Sequence, residues 1–428
     1  MTTRLQSFLT HQPADRSAGV PSVCSAHPLV LRAAAEQAVA DRSLLLIEAT
    51  SNQVNQDGGY TGMQPAGFRG FVEAIAHQAG LPAASLILGG DHLGPNPWRH
   101  LPAPDAMRHA EIMVAAFAAA GFSKIHLDAS MACAGDPPAL SDDEIAARSV
   151  RLCLAAEHAR TPAGELQTEP PVYVIGTEVP TPGGATHTLA NGVAITSPEA
   201  AAHTLDVHRR AFLAAGLEDA WSRVIAIVVQ PGVEFDHATV IDYNRTLATA
   251  LIDWRRREAS TIVFEAHSTD YQNPAAYRAL VEDGFALLKV GPALTFALRE
   301  ALDALSAIES QLILPAQQSN LQATIDRTML AHPASWAPFY TGTPAQQALL
   351  RRFSYSDRVR YYWHFPEIAA AVDTLVANLS ATRVPESLLS LYLPAQYAHL
   401  RAGEIALDPE SLIVDKIKDV LRLYAAAC

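Results

Sequence analysis

Asp91 and His92 stand side by side within LILGGDHLGPNPW (86–98), a stretch whose residue types can do chemistry. It starts as the short apolar run of a buried strand. It then reaches Gly89-Gly90, where the backbone can turn or approach a ligand closely, and is closed by the helix-refusing Pro95 and Pro97. An acid beside an imidazole at a strand end offers a proton-transfer group and a metal ligand from adjacent positions. The competing reading is a strand end whose polar residues merely satisfy backbone groups. The pattern recurs, however. Glu48 lies in LLLIEAT (44–50), Asp128 and Ser130 close KIHLDAS (124–130), and Glu178 closes VYVIGTEVP (172–180). Gln230 and Glu234 close VIAIVVQPGVEF (224–235), Glu265 and His267 close TIVFEAH (261–267), and ALLKVGP (286–292) carries Lys289 and Gly291. An apolar barrel core would place Val, Ile and Leu at these ends, so the polar series predicts an active site on one rim.

Imidazole and carboxylate together suit a divalent ion of the zinc, manganese or cobalt type. His92 and His267 can face one another across such a rim, with Glu178, Gln230 or both completing the sphere; the alternative is that both imidazoles bond substrate hydroxyls directly. His126 and Lys289, inside their strands, read equally well as satisfied core groups, and Tyr361, Tyr362 and Trp363 read as packing. The loop 51–65, with Asn52, suits a polar ligand. KVGPALTFALRE puts Gly291 and a helix N-terminus after a strand, where barrels often hold phosphate. Arg358 and Arg360, or Arg351 and Arg352, would add positive charge there.

The elements that position these groups alternate. Ala-rich or amphipathic helical patterns (from Leu29, and over 68–80, 105–120, 198–215, 238–257 and 274–283) separate the apolar runs, and Ser141 with Glu144 makes a capping box. Seven strand–loop–helix units imply a parallel sheet buried on both faces, and eight close a (β/α)8 TIM barrel. RVRYYW (358–363) is the expected eighth strand, after a helical excursion over 294–350, and residues 1–27 read as irregular. The expected organisation is a barrel over 1–365 and C-terminal helices over 366–428 packed beside it. An open doubly wound sheet is the rival, weakened because no GxGxxG or Walker loop follows any strand.

The chain has 428 residues, 49% of them apolar, and a formal net charge of −13 without a long basic run, which argues against nucleic acid and anionic membranes as partners. No apolar stretch reaches the roughly 18–20 residues of a membrane span. The first residues, MTTRLQSFLTHQPADRS, lack a signal-type apolar run. Cys24, Cys133, Cys153 and Cys428 are scattered without CxxC spacing and read as reduced thiols. A cytoplasmic protein is expected.

EATSNQVNQDGGYTGMQP, GGDHLGPNPW, KIHLDASMACAGDP, IGTEVPTPGG, FEAHSTDYQ and LLKVGPALTFALREAL together resemble the Z-type subunit family of class II D-tagatose-bisphosphate aldolases over residues 15–425. More distantly the chain resembles class II ketose-bisphosphate aldolases. That resemblance implies that Asp91 handles the carbon-4 hydroxyl proton and that His92 and His267 bind zinc, with manganese, cobalt or nickel as alternatives. It also aligns Asp128-Ala129-Ser130, Ser268-Thr269 and Lys289-Val290-Gly291 with family motifs. Gln230 stands where those aldolases place a third zinc-binding His, a departure that weakens the metal set. The resulting catalytic candidates are Asp91, Asp128 and Glu178, and the metal candidates are His92, Gln230, His267 and Glu178. Candidate substrate contacts are Glu48, Asn52, Ser130, Glu265, Ser268, Lys289, Gly291 and Arg358.

Two roles follow from the resemblance. One is a metal-dependent enzyme that epimerises carbon 4 of a ketohexose or its phosphate, of the fructose/tagatose type, by retro-aldol and aldol steps. The other is a non-catalytic subunit that stabilises a separate class II aldolase chain. A homo-oligomer is compatible with either. A sugar-phosphate kinase finds no support, because no nucleotide-binding loop is present.

Overall fold

A computed structural model describes residues 3–10, 18–159, 169–179 and 192–428. Eight parallel strands close a barrel: β1 (Val20–Val23), β2 (Leu45–Thr50), β3 (Leu86–Leu93), β4 (Lys124–Leu127), β5 (Val172–Ile175), β6 (Val224–Val229), β7 (Val263–Ala266) and β8 (Phe285–Val290). Neighbours run in chain order and β1 seals the barrel between β8 and β2. Helices follow most strands, among them Pro65–Gln78, Ala103–Ala119, Asp142–Ala159 and Pro274–Glu282. In the proposed capping box, the Ser141 hydroxyl accepts the Glu144 N–H at 3.3 Å.

The TIM-barrel expectation holds, but its closing strand is corrected. Val20–Val23 completes the barrel, whereas Arg358–Tyr361 is a 3-10 helix. Four residues containing Pro21 carry almost no strand signal, while the alternating R-V-R-Y imitates one. The helical excursion therefore follows the last strand instead of preceding it. From the long helix Pro292–Leu312 the chain passes through Leu321–Ala331 and Pro344–Phe353, and the 3-10 helix then returns it to the rim. Glu234–Phe235 is likewise not part of β6; it pairs antiparallel with Val240–Ile241.

The barrel interior is layered. Val20, Leu46, Ile87, Val172 and Leu287 form an apolar layer, with Leu5 of the helix Arg4–Thr10 packed against it. Two residues further along the strands the interior turns ionic: Glu48 follows Leu46 and Lys289 follows Leu287, on the same faces. Outside the strands a second apolar cluster runs through the helices to Leu412, Ile417 and Tyr424 of the C-terminal helix Pro409–Ala425. The Tyr424 hydroxyl lies 3.0 Å from that of Thr269, which donates to the Lys289 carbonyl at 2.6 Å, so this helix braces β7 and β8.

β3 is shaped by absent side chains. A Cβ on Gly89 would stand 2.7 Å from a Glu48 carboxylate oxygen, and one on Gly94 would stand 1.5 Å from the Asp128 carbonyl oxygen. Between them the β3–β4 register slips between Gly90 and Leu93, and His92 adopts a left-handed φ of 48°. Such an irregularity re-aims adjacent side chains, and here it sends both Asp91 and His92 to the site. Gly94→Ala is therefore expected to force the ends of β3 and β4 apart and to lower stability by about 3 kcal/mol. Urea unfolding measures this; an unchanged midpoint would contradict the close approach.

Candidate active site

The ionic layer is built from β2, β3, β4, β7 and β8. The Lys124 ammonium lies 2.5 Å from both Glu48 Oε1 and Glu265 Oε2, and all three side chains are fully buried. Lys289 donates to Glu48 and, at 2.7 Å, to Asp91 Oδ1, with Glu265 Oε1 at 3.4 Å. Three imidazoles stand above: His92, His126 and His267 have ring centroids 4.8–5.3 Å apart. His92 Nδ1 lies 2.8 Å from Asp128 Oδ2, His126 Nδ1 lies 3.0 Å from Asp91 Oδ1, and His267 Nε2 lies 3.1 Å from Glu265 Oε1. The Ser130 hydroxyl donates to Asp128 at 2.7 Å and so orients the carboxylate that orients His92.

Electrostatics divides these groups. Burial pushes the Asp91 carboxyl up, but His92, Lys289, His126 and His267 outweigh it and hold Asp91 well below the usual carboxylate range. Glu265 is held low against burial by Lys124 and Lys289. Lys289 is lifted well above an ordinary lysine by Asp91, Glu265 and Glu48, despite its own burial. Burial lowers His267 to about 4, leaving it neutral. His92 is instead raised, because Asp91 and Asp128 overcome desolvation. Four carboxylates (Glu48, Asp91, Asp128, Glu265) against two ammoniums leave a net charge of −2 when the imidazoles are neutral.

That surplus fits a divalent cation. Asp91, His126, Glu265 and His267 each offer one ligand atom within 4.8 Å of the others, and His126 Nε2 is buried without a hydrogen-bond partner among the described residues. The donor set of two imidazoles and two carboxylates suits zinc-type ions. Its members differ from those expected. Of the expected metal set only His267 belongs to it; Asp91, expected as the proton-handling acid, joins it, His92 stands beside it, and Gln230 and Glu178 are not brought to this cluster. The Gln230 side-chain oxygen Oε1 accepts the N–H groups of Gly232 and Val233 at 2.8 and 3.1 Å. Glu178 is exposed and accepts the Thr196 hydroxyl at 2.7 Å. Part of the IGTEVPTPGG motif lies outside the described residues.

The mouth opens into a cavity of about 540 Å³, lined by Asn52, Asp91, His92, His267, Ser268, Lys289 and Gly291 from the barrel side. Tyr60 of the loop after β2 and Arg360, Tyr361, Trp363 and His364 of the returning segment form the opposite wall. Glu48 and Glu265, expected to touch substrate, lie fully buried among the lysines. Arg358 does not line the cavity: its guanidinium stacks on Phe339 and Tyr361 and its Nε donates to the Ser335 carbonyl. Arg351 and Arg352 bind Asp326 and Gln322 elsewhere. The phosphate expectation at Gly291 is also corrected. The N–H groups of Gly291 and Ala293 already donate, at 3.0 and 2.8 Å, to the buried Asp270 carboxylate.

Sequence reading missed Lys124, His126 as a site member, Cys24 and Asp270. K-I-H-L places Lys124 and His126 on one face of β4, and this period of two was the available signal. Cys24, whose Sγ is 3.5 Å from Asp91 Oδ2, follows the unrecognised β1. No described helix is long and apolar enough to cross a membrane.

Residues 5–428 match the family model described as D-tagatose-1,6-bisphosphate aldolase subunit GatZ/KbaZ-like. The chain is 51% identical to the D-tagatose-1,6-bisphosphate aldolase subunit GatZ of Klebsiella pneumoniae and 50% identical to that of Salmonella dublin, each over 99% of both chains. A crystal structure titled as a probable tagatose 6 phosphate kinase from Sinorhizobium meliloti is 50% identical and superposes with a TM-score of 0.87, covering 96% of this chain and all of that one.

Removing one cation from the ionic layer strands two buried carboxylates. Lys124→Met is expected to lower stability by about 3–5 kcal/mol, and Glu265→Gln in the same chain should recover part of it. Denaturant titration of the single and double variants measures both effects.

Proposed function

Because this chain belongs to the D-tagatose-1,6-bisphosphate aldolase subunit GatZ/KbaZ-like family, we propose that it works as the Z-type subunit beside a catalytic class II aldolase chain acting on a ketohexose phosphate. Identity near 50% over 99% of both chains to proteins named as that subunit carries this reading. The expected result is that mixing with such a catalytic chain yields a complex on gel filtration and raises the partner's melting temperature and activity. A partner unaffected at saturating amounts would overturn it.

A second reading is favoured by one observation, the convergence of Asp91 and His267, which line the cavity, with the fully buried His126 and Glu265 behind them. A subunit that only supports another chain has no need to keep four ligand atoms and a flanking ammonium together. In this reading the mouth carries out ketohexose carbon-4 epimerisation of the fructose/tagatose type. A zinc-type ion held by these residues, or manganese, cobalt or nickel in its place, would supply Lewis-acid polarisation of the ketose carbonyl.

The remaining work belongs to the side chains. Asp91, kept ionised by Lys289 and His92, accepts the proton of the carbon-4 hydroxyl as the bond between carbons 3 and 4 breaks. The electron pair of that bond stays with the ketone fragment, beside the Lys289 ammonium. Lys289 and the His92–Asp128 pair fix the donors around the fragment, and the Tyr60, Tyr361 and Trp363 wall encloses both pieces. The aldehyde turns, carbon 3 adds to its other face, and Asp91 returns the proton, giving the epimer with atoms balanced.

The purified chain is tested with fructose 6-phosphate, fructose and tagatose, with zinc or manganese and after chelation. Epimer that disappears on chelation and in Asp91→Ala supports the second reading; no turnover under any condition removes it. Metal content decides the ligand set independently. His126→Ala and His267→Ala are expected to lower zinc affinity at least tenfold, while Gln230→Ala leaves it unchanged. Zinc retained at full affinity in both histidine variants would overturn the assignment.

A further inference from the structure

The corner of the cavity where β8 meets the helix Pro292–Leu312 has the form of an anion cradle, with the Gly291 and Ala293 N–H groups converging at the positive end of a 21-residue helix. It is filled from within. The Asp270 carboxylate, 3% exposed, takes both N–H groups through Oδ1 and itself lines the cavity. Its position is held by the backbone. Ser268 and Tyr271 both adopt left-handed φ values, 54° and 66°, an arrangement that non-glycine residues keep only when their surroundings enforce it. Tyr271 is in turn anchored by donating to the Tyr355 carbonyl at 2.7 Å and by packing against Phe235 and Tyr355.

Burial raises the Asp270 carboxyl to about 6, against the downward pull of the Ala293 and Gly291 N–H groups and then of Arg360 on the facing wall, so it carries its charge above that pH. The helix terminus and Arg360 are therefore already matched to a charge of the protein's own. A phosphoryl group arriving here would find its N–H donors taken and a carboxylate in its place, so like charges would meet in a partly dry pocket.

We propose that Asp270 is a specificity-determining residue that excludes phosphate from this corner, so that the mouth accepts ketoses with at least one unphosphorylated end and rejects ketose bisphosphates. A bisphosphate carries a phosphate at each end and cannot avoid the corner. A monophosphate or free sugar can present a hydroxymethyl group to it, and that group can donate to the carboxylate. The inference rests on the reading that this mouth binds ketoses. It separates the mouth's own ligand from the bisphosphate in the relatives' names, which would be handled by a partner chain.

The test uses the full, zinc-loaded chain in calorimetric titrations with fructose 6-phosphate, fructose 1,6-bisphosphate and inorganic phosphate, on wild type, Asp270→Ala and Asp270→Asn. The wild type is expected to bind the monophosphate at least about tenfold more tightly than the bisphosphate. Asp270→Ala should shrink that ratio by tightening the bisphosphate and should acquire affinity for inorganic phosphate. Asp270→Asn keeps an acceptor oxygen for the two N–H groups but loses the charge, and should fall between them. If Asp270→Ala does not fold, the Asp270→Asn ratio decides. Equal wild-type affinities, or a ratio unchanged in the variants, would overturn the proposal. If no ketose binds the wild type, the ketose reading has failed, and the phosphate titration still judges the cradle: capture by Asp270→Ala alone supports exclusion by Asp270, and capture by neither protein overturns it.

Discussion

Everything at the mouth depends on a layer of charge buried inside the barrel. Glu48, Glu265 and Lys124 are wholly removed from water, and Lys289 links them to Asp91. Isolated ions cannot be sustained at such depth; each persists only while its partners hold the geometry. This constraint explains the residues around it. Gly89 leaves room for the Glu48 carboxylate, and Gly94 lets β3 approach β4. The apolar layer beneath, packed against Leu5, separates the charges from the far end of the barrel. A network of this kind is cooperative, since removing one member leaves several others unsatisfied.

The same layer sets the chemistry above it. Carboxylates held low by lysines stay ionised and a desolvated imidazole at His267 stays neutral, while Asp91 and Asp128 draw His92 upward against its burial. Neutral imidazole and ionised carboxylate are the forms that bind a metal. Gln230, which the resemblance places where a third ligating imidazole is expected, is turned away to its own loop, and His126 stands at the cluster instead. A neighbouring strand brings that imidazole to within 5.2–5.3 Å of the other two rings.

The cavity is finished by parts of the chain far from the barrel in sequence. The segment after Asp357 returns over the rim and contributes Arg360, Tyr361, Trp363 and His364, and the helix Pro366–Ser380 adds Val372 and Val376. Their apolar and aromatic surfaces face an ionic floor, so a ligand is gripped between a charged centre and a drier wall. Arg358 and Arg360 differ by two positions, yet one is packed between aromatic rings and the other lines the cavity. The 3-10 helix, and not charge, makes that difference.

Much of this was legible in the chain. Apolar runs and helical patterns alternate with little ambiguity because strand and helix periodicities are local, and the polar residues that end the runs mark the rim. Asp91, His267 and Lys289 were found this way. The strand Val20–Val23 was not, because four residues with a proline carry too little pattern. Lys124 was not singled out and His126 read equally well as core, because a closed barrel turns one face of every strand inward and only closure shows what that face meets. Which imidazoles meet, whether Gln230 reaches them, and that Asp270 fills the cradle at Gly291 depend on register and barrel closure. Those bring together residues that no local interaction relates, so the tertiary structure alone decided them.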